Sequence, residues 1–597
     1  MTAKYVIGID LGTTNSVLAY APLGLDTAEV MLLPIPQVVA PNTIESRNAL
    51  PSFLYVATEP DRAGDALAVP WSTDGDSVVG AYAREKGAES PQRTIAAAKS
   101  WLCHSRVDRR LPILPWNSQE LGNDQRMSPV QVTQRYLEHL VATWQAEYAD
   151  APFAEQTVVL TVPASFDAAA RELTREAAVA AGFPESFVLL EEPQAAVYAW
   201  ISAHEQSWRK WLAIGDTILV CDVGGGTTDF TLIQVAEESG EMVLQRIAVG
   251  NHLLVGGDNM DMAIAYHAAE LFAEKGTKLD PWQSVSLWHA CRSAKEKLLG
   301  KDAAASQPVS VLGRGSRLIG GTVTVDLPRA NTEALLVDGF FPKCNLTDVP
   351  KRQRASGFQE LGLPFESDTA VTRHLAAFLQ AHGDGGTAVH PSRVLFNGGV
   401  FKAESLRQRL IDTLHHWFSG RDATEVLEGD HDLDYAVARG AAYYGWSKQH
   451  RGVRIRGGTS RSYYVGIETS GPAIPGAPRP LHALCVVPFG MEEGTEVDVP
   501  SGDIGLVLDE PVQFRFFSSS VRKQDQPGLR LERWVEGELA ETDALEATLT
   551  SEEDESDSYV PVRFRSHITE LGVFELWCVH AATGRKWKLE FSVRDPE

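Results

Sequence analysis

Two segments of the chain share one chemical wording. Tyr5-Val6-Ile7-Gly8-Ile9 runs into Asp10-Leu11-Gly12-Thr13-Thr14-Asn15-Ser16, and much later Thr217-Ile218-Leu219-Val220-Cys221 runs into Asp222-Val223-Gly224-Gly225-Gly226-Thr227-Thr228-Asp229. Each reads as strand, acid, glycine–threonine turn, strand. Glycine lets the backbone approach a phosphate with its N–H groups turned inward, and threonine hydroxyls add donors that carry no charge. An aspartate at the end of each strand suits a hydrated Mg²⁺, which takes a few carboxylates and keeps several waters. Two such hairpins facing each other would clamp a metal–polyphosphate, whereas either alone reads equally well as an ordinary hairpin. Neither is a P-loop, since no G-x-x-x-x-G-K-[ST] occurs, and neither is a dinucleotide fingerprint, since neither turn opens a helix.

The elements that must position these turns follow from the pattern around them. From residue 1 to about 447 short apolar β-rich runs alternate with Ala-rich helical stretches, the mark of α/β architecture with helices over sheets. Strands are expected at Tyr5 to Ile9, Thr157 to Val162, Ile218 to Asp222 and Arg393 to Phe396. After about residue 462 the pattern is strands and turns. Trp587, Leu589, Phe591 and Val593 alternate with Lys586, Lys588, Glu590 and Ser592, and the run from Val573 to Val579 precedes a turn at 581 to 584, so a hairpin is expected there. Between the two regions, 448 to 461 is rich in Arg and Gly and lacks an apolar stripe, which reads as a basic linker. Residues 340 to 368 and the acidic run Glu552 to Ser558 read as surface embellishments.

A length of 597 residues requires several lobes or domains. Net charge −25 argues against a broad nucleic-acid surface, because neutralising phosphates needs clustered cations. No run approaches the ~20 apolar residues that span a bilayer, and Met1-Thr2-Ala3-Lys4 leads straight into a strand, so a soluble, cytoplasmic chain with no membrane or nucleic-acid partner is expected. Cys103, Cys221, Cys291, Cys344, Cys485 and Cys578 are widely spaced without C-x-x-C, and are expected to be single thiols.

The paired turns resemble those of the actin-like ATPase superfamily, in which two ribonuclease-H-like lobes close around ATP. Ile9-Asp10-Leu11-Gly12-Thr13-Thr14-Asn15-Ser16 is similar to the wording of the seventy-kilodalton heat-shock (DnaK-like) chaperones. So are Thr161-Val162-Pro163-Ala164-Ser165-Phe166, Arg171, Glu192-Pro193-Gln194-Ala195-Ala196, Val255-Gly256-Gly257-Asp258, Arg393 to Val400, and the helix Asp434 to Ala442, all in the family's order. The resemblance implies an ATPase domain over 1–447, a linker over 448–461, and a β-sandwich over 462–597 that grips extended peptide. It implies a catalytic role for Lys99, Glu192, Asp10, Thr227 and Asp229, and Mg²⁺ carboxylates at Asp10 and Asp222. Nucleotide contacts would come from Gly12, Thr13, Thr14, Asn15, Gly224, Gly225, Gly226, Thr227, Gly256, Gly257, Arg292, Lys295, Glu296, Leu299, Gly398, Gly399 and Lys402. ATP or ADP with Mg²⁺, unfolded polypeptide, a J-domain co-chaperone and a nucleotide-exchange factor are the implied cofactors and partners, with the chain a monomer.

Departures from the family pattern bear on function. Glu296 and Lys402 stand at two positions where the family has arginines that stack on adenine, and Leu299 stands at a usual serine. A carboxylate gives no cation–π attraction, and lysine lacks a planar stacking group. The segment Gln449 to Gly458 lacks the family's leucine run, leaving Val453 and Ile455 as candidates to dock. The last expected strand runs close to Glu597, so no helical lid over bound peptide is expected. Tyr463 to Thr469, Val562 to Arg565 and Leu571 to Leu576 are similar to strands of the family's sandwich, with Asp503 to Leu508 and Val512 to Phe517 as its middle strands. The alternatives are a nucleotide-binding scaffold with little turnover, or an actin-like kinase or filament protein.

Overall fold

The computed structural model describes residues 3–589 apart from 74, 105–106, 239, 301–302, 313–321, 352–362, 384–385, 429–431, 451–454, 457, 460, 470–479, 492–494, 536, 542–544, 550–558 and 569–573. The acidic run at 552–558, Val453, and Phe591 with Val593 therefore lie outside the described residues.

Two sheets repeat one plan. In the first, β1 (Tyr5–Leu11) pairs antiparallel with β2 (Asn15–Pro22), which pairs with the short β3 (Met31–Leu32). On its other side β1 pairs parallel with β4 (Thr157–Val162), and β4 with β5 (Val188–Glu191). In the second sheet, β6 (Thr217–Val223), β7 (Thr228–Glu238) and β8 (Glu241–Val249) form the antiparallel run, while β9 (Arg393–Asn397) and β10 (Glu425–Val426) add parallel strands beside β6. Each sheet thus has the spatial order 3-2-1-4-5, with an aspartate near the end of its first strand and a tight turn into its second. The four strands expected from the sequence all form. Their near-continuous apolar runs fit strands covered on both faces.

Eight helices matter for the site. They are α1 (Ala81–Glu89), α2 (Ala98–Leu102), α3 (Ala168–Ala180), α4 (Glu192–His204), α5 (Gly257–Glu274), α6 (Pro281–Leu298), α7 (Glu404–Trp417) and α8 (Ala436–Gln449). Helices α4 and α8 lie between the sheets, where Val6 and Val159 of the first share a buried core with Tyr198, Trp200, Ala441, and Ile218 and Val220 of the second. Close approach there depends on glycine. A Cβ on Gly440 would sit 1.8 Å from the Ala195 carbonyl oxygen, and one on Gly8 would sit 2.3 Å from the Ala442 nitrogen.

The segment expected as a linker is more ordered than its composition suggests. Helix α8 runs on to Gln449, and β11 (Ile455–Arg456) adds to the free edge of the second sheet, parallel to β8. Ile455 is buried and its N–H donates to the Tyr198 hydroxyl at 2.8 Å. One apolar side chain between arginines is enough, because an edge strand supplies the hydrogen-bond partners that a leucine run would otherwise replace with apolar contact.

Beyond it, β12 (Ser462–Glu468), β13 (Leu481–Val487) and β14 (Thr495–Val507) precede β15 (Phe516–Ser519), β16 (Tyr559–Ile568), β17 (Phe574–His580) and β18 (Lys586–Leu589). The sheet holding β13, β12 and β15 and the sheet β14-β16-β17-β18 share a core of Val465, Leu484, Val486, Phe516, Val562, Leu576 and Trp587. The β17–β18 hairpin pairs Cys578 with Trp587, with Trp587 and Leu589 inside and Lys586 exposed, as the alternation required.

Candidate functional site

The two glycine–threonine turns face each other across a cleft of about 460 Å³ between the lobes. Its lining includes Asp10, Gly12, Thr13, Thr14, Asn15, Lys99 and Glu192 from the first lobe's side, and Asp222, Gly224, Gly225, Thr227 and Gly257 from the second. Gly398 and Gly399, together with Arg292, Lys295, Glu296, Leu299 and Lys402, complete the set brought together from those singled out in the sequence. Gly226, Gly256 and Asp229 stand behind this lining. The turns touch so closely that a Cβ on Gly225 would lie 1.9 Å from Thr14 Oγ1, and one on Gly226 would lie 3.0 Å from Thr13 Cγ2. The glycines are there for space.

The acids of the cleft crowd one another. Burial, and next the Glu192 carboxylate, push Asp10 up to about 7 and Asp222 up to about 8. Glu192 is raised by burial although the Lys99 ammonium pulls the other way, and the two form an ion pair. Burial would lower Lys99, but Glu192 and Asp10 hold it above its ordinary value, so it stays charged. Asn397 donates to Asp222 Oδ2 at 2.7 Å and leaves its own Oδ1 buried without a partner. Raised carboxylates around one space are those a divalent cation would return to the ionised form, and the orphaned Asn397 oxygen is an acceptor for a metal-bound water. The residues present therefore fit a Mg²⁺–polyphosphate, with Asp10 and Asp222 nearest to hold the metal.

On the second lobe the chain enters α5 at Gly257, presenting a helix N-terminus to the cleft, the ordinary place for a phosphate. Arg292 and Lys295 brace that corner more than they reach into the cleft. Arg292, 6 % exposed, binds Asp258 and donates to Asp261 Oδ2 at 2.8 Å, and Lys295 donates to the Gly257 carbonyl at 2.8 Å and pairs with Asp261 at 2.6 Å. At the outer end Glu296 pairs across the cleft with Arg84 of α1 at 3.3 Å, and Lys402 pairs with Asp434. The two charged residues that stand at the family's arginine positions are therefore engaged in ion pairs.

Sequence reading gave no role to Arg84, Asp261 or Asn397, nor to the buried ion network below the cleft. There Glu191, just before Glu192, takes Arg171 at 2.9 Å and also binds Arg246, which in turn donates to the Gly458 carbonyl beside β11. Arg171 and the adjacent Glu191 and Glu192 were its signals in the sequence. Asp229, expected to have a catalytic role, is held from behind by Ser165 and His252.

Two lobes of 3-2-1-4-5 sheets, each first strand ending in an aspartate at a shared cleft, define an actin-like ATPase domain. A family model described as Hsp70 protein matches residues 62–344, so this part of the chain is similar to the Hsp70 family.

Proposed function

We propose that this chain is an Hsp70-family protein that binds ATP with Mg²⁺ in the inter-lobe cleft and hydrolyses it to control its hold on extended polypeptide. Members of the family are generally chaperone-like ATPases, and the observation that carries the reading here is the Lys99–Glu192 pair. It stands among Asp10 and Asp222 with the Gly12–Asn15 and Gly224–Thr227 turns on either side.

Phosphoryl transfer asks for positioning and charge stabilisation more than covalent help, because its transition state is loose with charge spread over oxygens. The turn N–H groups and the Thr13, Thr14 and Thr227 hydroxyls would hold the β- and γ-phosphates. Lys99, kept charged, would meet the developing negative charge, and Glu192 would accept a hydrogen bond from the attacking water. When bound between Asp10 and Asp222, Mg²⁺ would supply charge neutralisation on the phosphate oxygens. Gly398 and Gly399, Glu296, Leu299 and Lys402 would border the nucleoside.

The same reading divides the chain into an ATPase domain over 1–447, a connector over 448–461 and a β-sandwich over 462–597 as the polypeptide-binding part. Hydrolysis can shift polypeptide affinity only if ATP binds two conformations unequally. The Arg246–Gly458 contact and β11 are the physical joint through which that inequality would pass. A monomer working in the cytoplasm with a J-domain co-chaperone and a nucleotide-exchange factor completes the proposal; all six cysteines are free, and no described helix is long and apolar enough to cross a membrane.

A second reading, a nucleotide-binding scaffold with little turnover, is favoured by the Glu296–Arg84 and Lys402–Asp434 pairs, which occupy charges that would otherwise face the nucleoside. ATP turnover measured with and without an extended peptide separates the two. Stimulated turnover supports the chaperone, and tight binding with none supports the scaffold.

A further inference from the structure

Behind the cleft three polar side chains from three parts of the chain converge on one point. Asp229, near the start of β7, is 7 % exposed. Its Oδ1 accepts a hydrogen bond from the Ser165 hydroxyl, in the turn after β4, and lies 3.3 Å from Nδ1 of His252, in the loop after β8. Ser165 Oγ is itself 2.9 Å from that Nδ1, and Phe166 sets its ring edge-on to the imidazole at 5.8 Å. The His252 side chain is 13 % exposed, so its orientation is fixed by packing as well as by polar contact.

We infer that His252 is a positioning residue for hydrolysis: as a buried imidazolium it locks Asp229 and supplies a fixed positive charge behind the Lys99–Glu192 pair. The inference rests on the ATPase reading above. It follows from the surplus of acid at the site, where Asp10, Glu192, Asp222 and Asp229 gather around a single ammonium, that of Lys99. A second cation placed against the rearmost of these carboxylates keeps it ionised and immobile, and its field reaches Glu192 as well. Glu192 can then remain an acceptor for water.

The groups facing His252 are Asp229 from β7, Ser165 and Phe166 from the turn after β4, and Cys103 from the end of α2, with Glu192 of α4 next nearest. Burial alone would drive the imidazole's pKa down, but the Asp229 carboxylate outweighs it and Cys103 adds to the rise, so His252 stands well above its ordinary value. A histidine raised in this way carries its charge at neutral pH and loses it only as pH rises through the raised value. The role therefore predicts an alkaline limb in turnover.

The test is the pH profile of kcat for the full chain and for His252→Gln, which keeps a donor toward Asp229 but not the charge, together with nitrogen NMR of the histidine ring. The expected results are an imidazolium signal for His252 in the parent at pH 8 and a variant kcat reduced at least tenfold. The variant should also lose the alkaline limb and bind ATP within about threefold of the parent. A neutral ring at pH 8, or a variant with the parent's rate and profile, overturns the role while leaving the ATPase reading intact. No turnover in the parent at any pH overturns the ATPase reading, and the role falls with it.

Discussion

At the scale of single residues the site is a problem of space and charge. A Cβ on Gly225 would meet Thr14 Oγ1 at 1.9 Å, so any larger residue there displaces Thr14. Gly225→Ala should hold the two turns apart and weaken ATP binding at least tenfold in titration calorimetry, whereas Gly24→Ala, whose Cβ meets nothing within 4 Å, should bind as the parent does. At the nucleoside end Glu296→Arg removes the carboxylate that occupies Arg84 and offers a guanidinium to the base. The expected change is tighter ATP binding by about 0.5–2 kcal/mol, the range of a cation–π contact. Weaker binding would show instead that Arg84, steadied by Glu296, is the group that meets the nucleoside. These positions differ in how readable they were. Asp10 and Asp222 sit in recognisable local wording and Lys99 was reached through the family resemblance, while Arg84 and His252 acquire partners only through folding, from residues 212 and 23 positions away. No local pattern encodes such distances.

Among the elements, the repeated strand–acid–turn–strand unit was fully legible, because alternation and turn chemistry are local. The connector was legible in part: its arginines pointed to an exposed stretch while Ile455 stood as a candidate to dock, and an open sheet edge beside β8 with the Tyr198 hydroxyl draws Ile455 in. Arg246 secures this joint by binding both Glu191 and the Gly458 carbonyl. Arg246→Met leaves Glu191 buried with one partner fewer and should cost about 3 kcal/mol, the scale of breaking a buried ion pair, read as a shift in the urea midpoint. Protease cleavage near 451–460 should quicken at the same time, and an unchanged cleavage rate would mean that β11 holds without it. The α4–α8 contact makes a second element-scale prediction. Gly440→Ala forces a methyl onto the Ala195 carbonyl and should destabilise by about 1–3 kcal/mol, as overpacking does, with the thermal midpoint as readout.

For the whole molecule, buried neutral histidines set a limit in acid. Burial pushes His139 down to about 4, and burial with the Lys523 ammonium pushes His382 down to about 3. Both are uncharged in the fold, while the unfolded chain takes up protons below about 6.5. Each histidine should therefore lower stability as pH drops from about 6.5 toward 4, by about 1.4 kcal/mol per pH unit, against the opposite contribution of Asp10 and Asp222, whose carboxyls the fold holds raised. His139→Gln, which can still donate to the Pro36 carbonyl, should flatten the slope of urea midpoint against pH between 6.5 and 4. An unchanged slope would assign the acid sensitivity elsewhere.

Everything proposed for this molecule depends on hydrolysis of ATP in the cleft between the lobes by means of Lys99. Single-turnover hydrolysis of ATP with Mg²⁺, run side by side on the parent and Lys99→Ala with bound nucleotide quantified in both, tests it most directly. Slow but measurable turnover is expected in the parent, with nucleotide bound but not hydrolysed by the variant. Equal rates in the two proteins, or nucleotide bound by the parent and never hydrolysed, would contradict it.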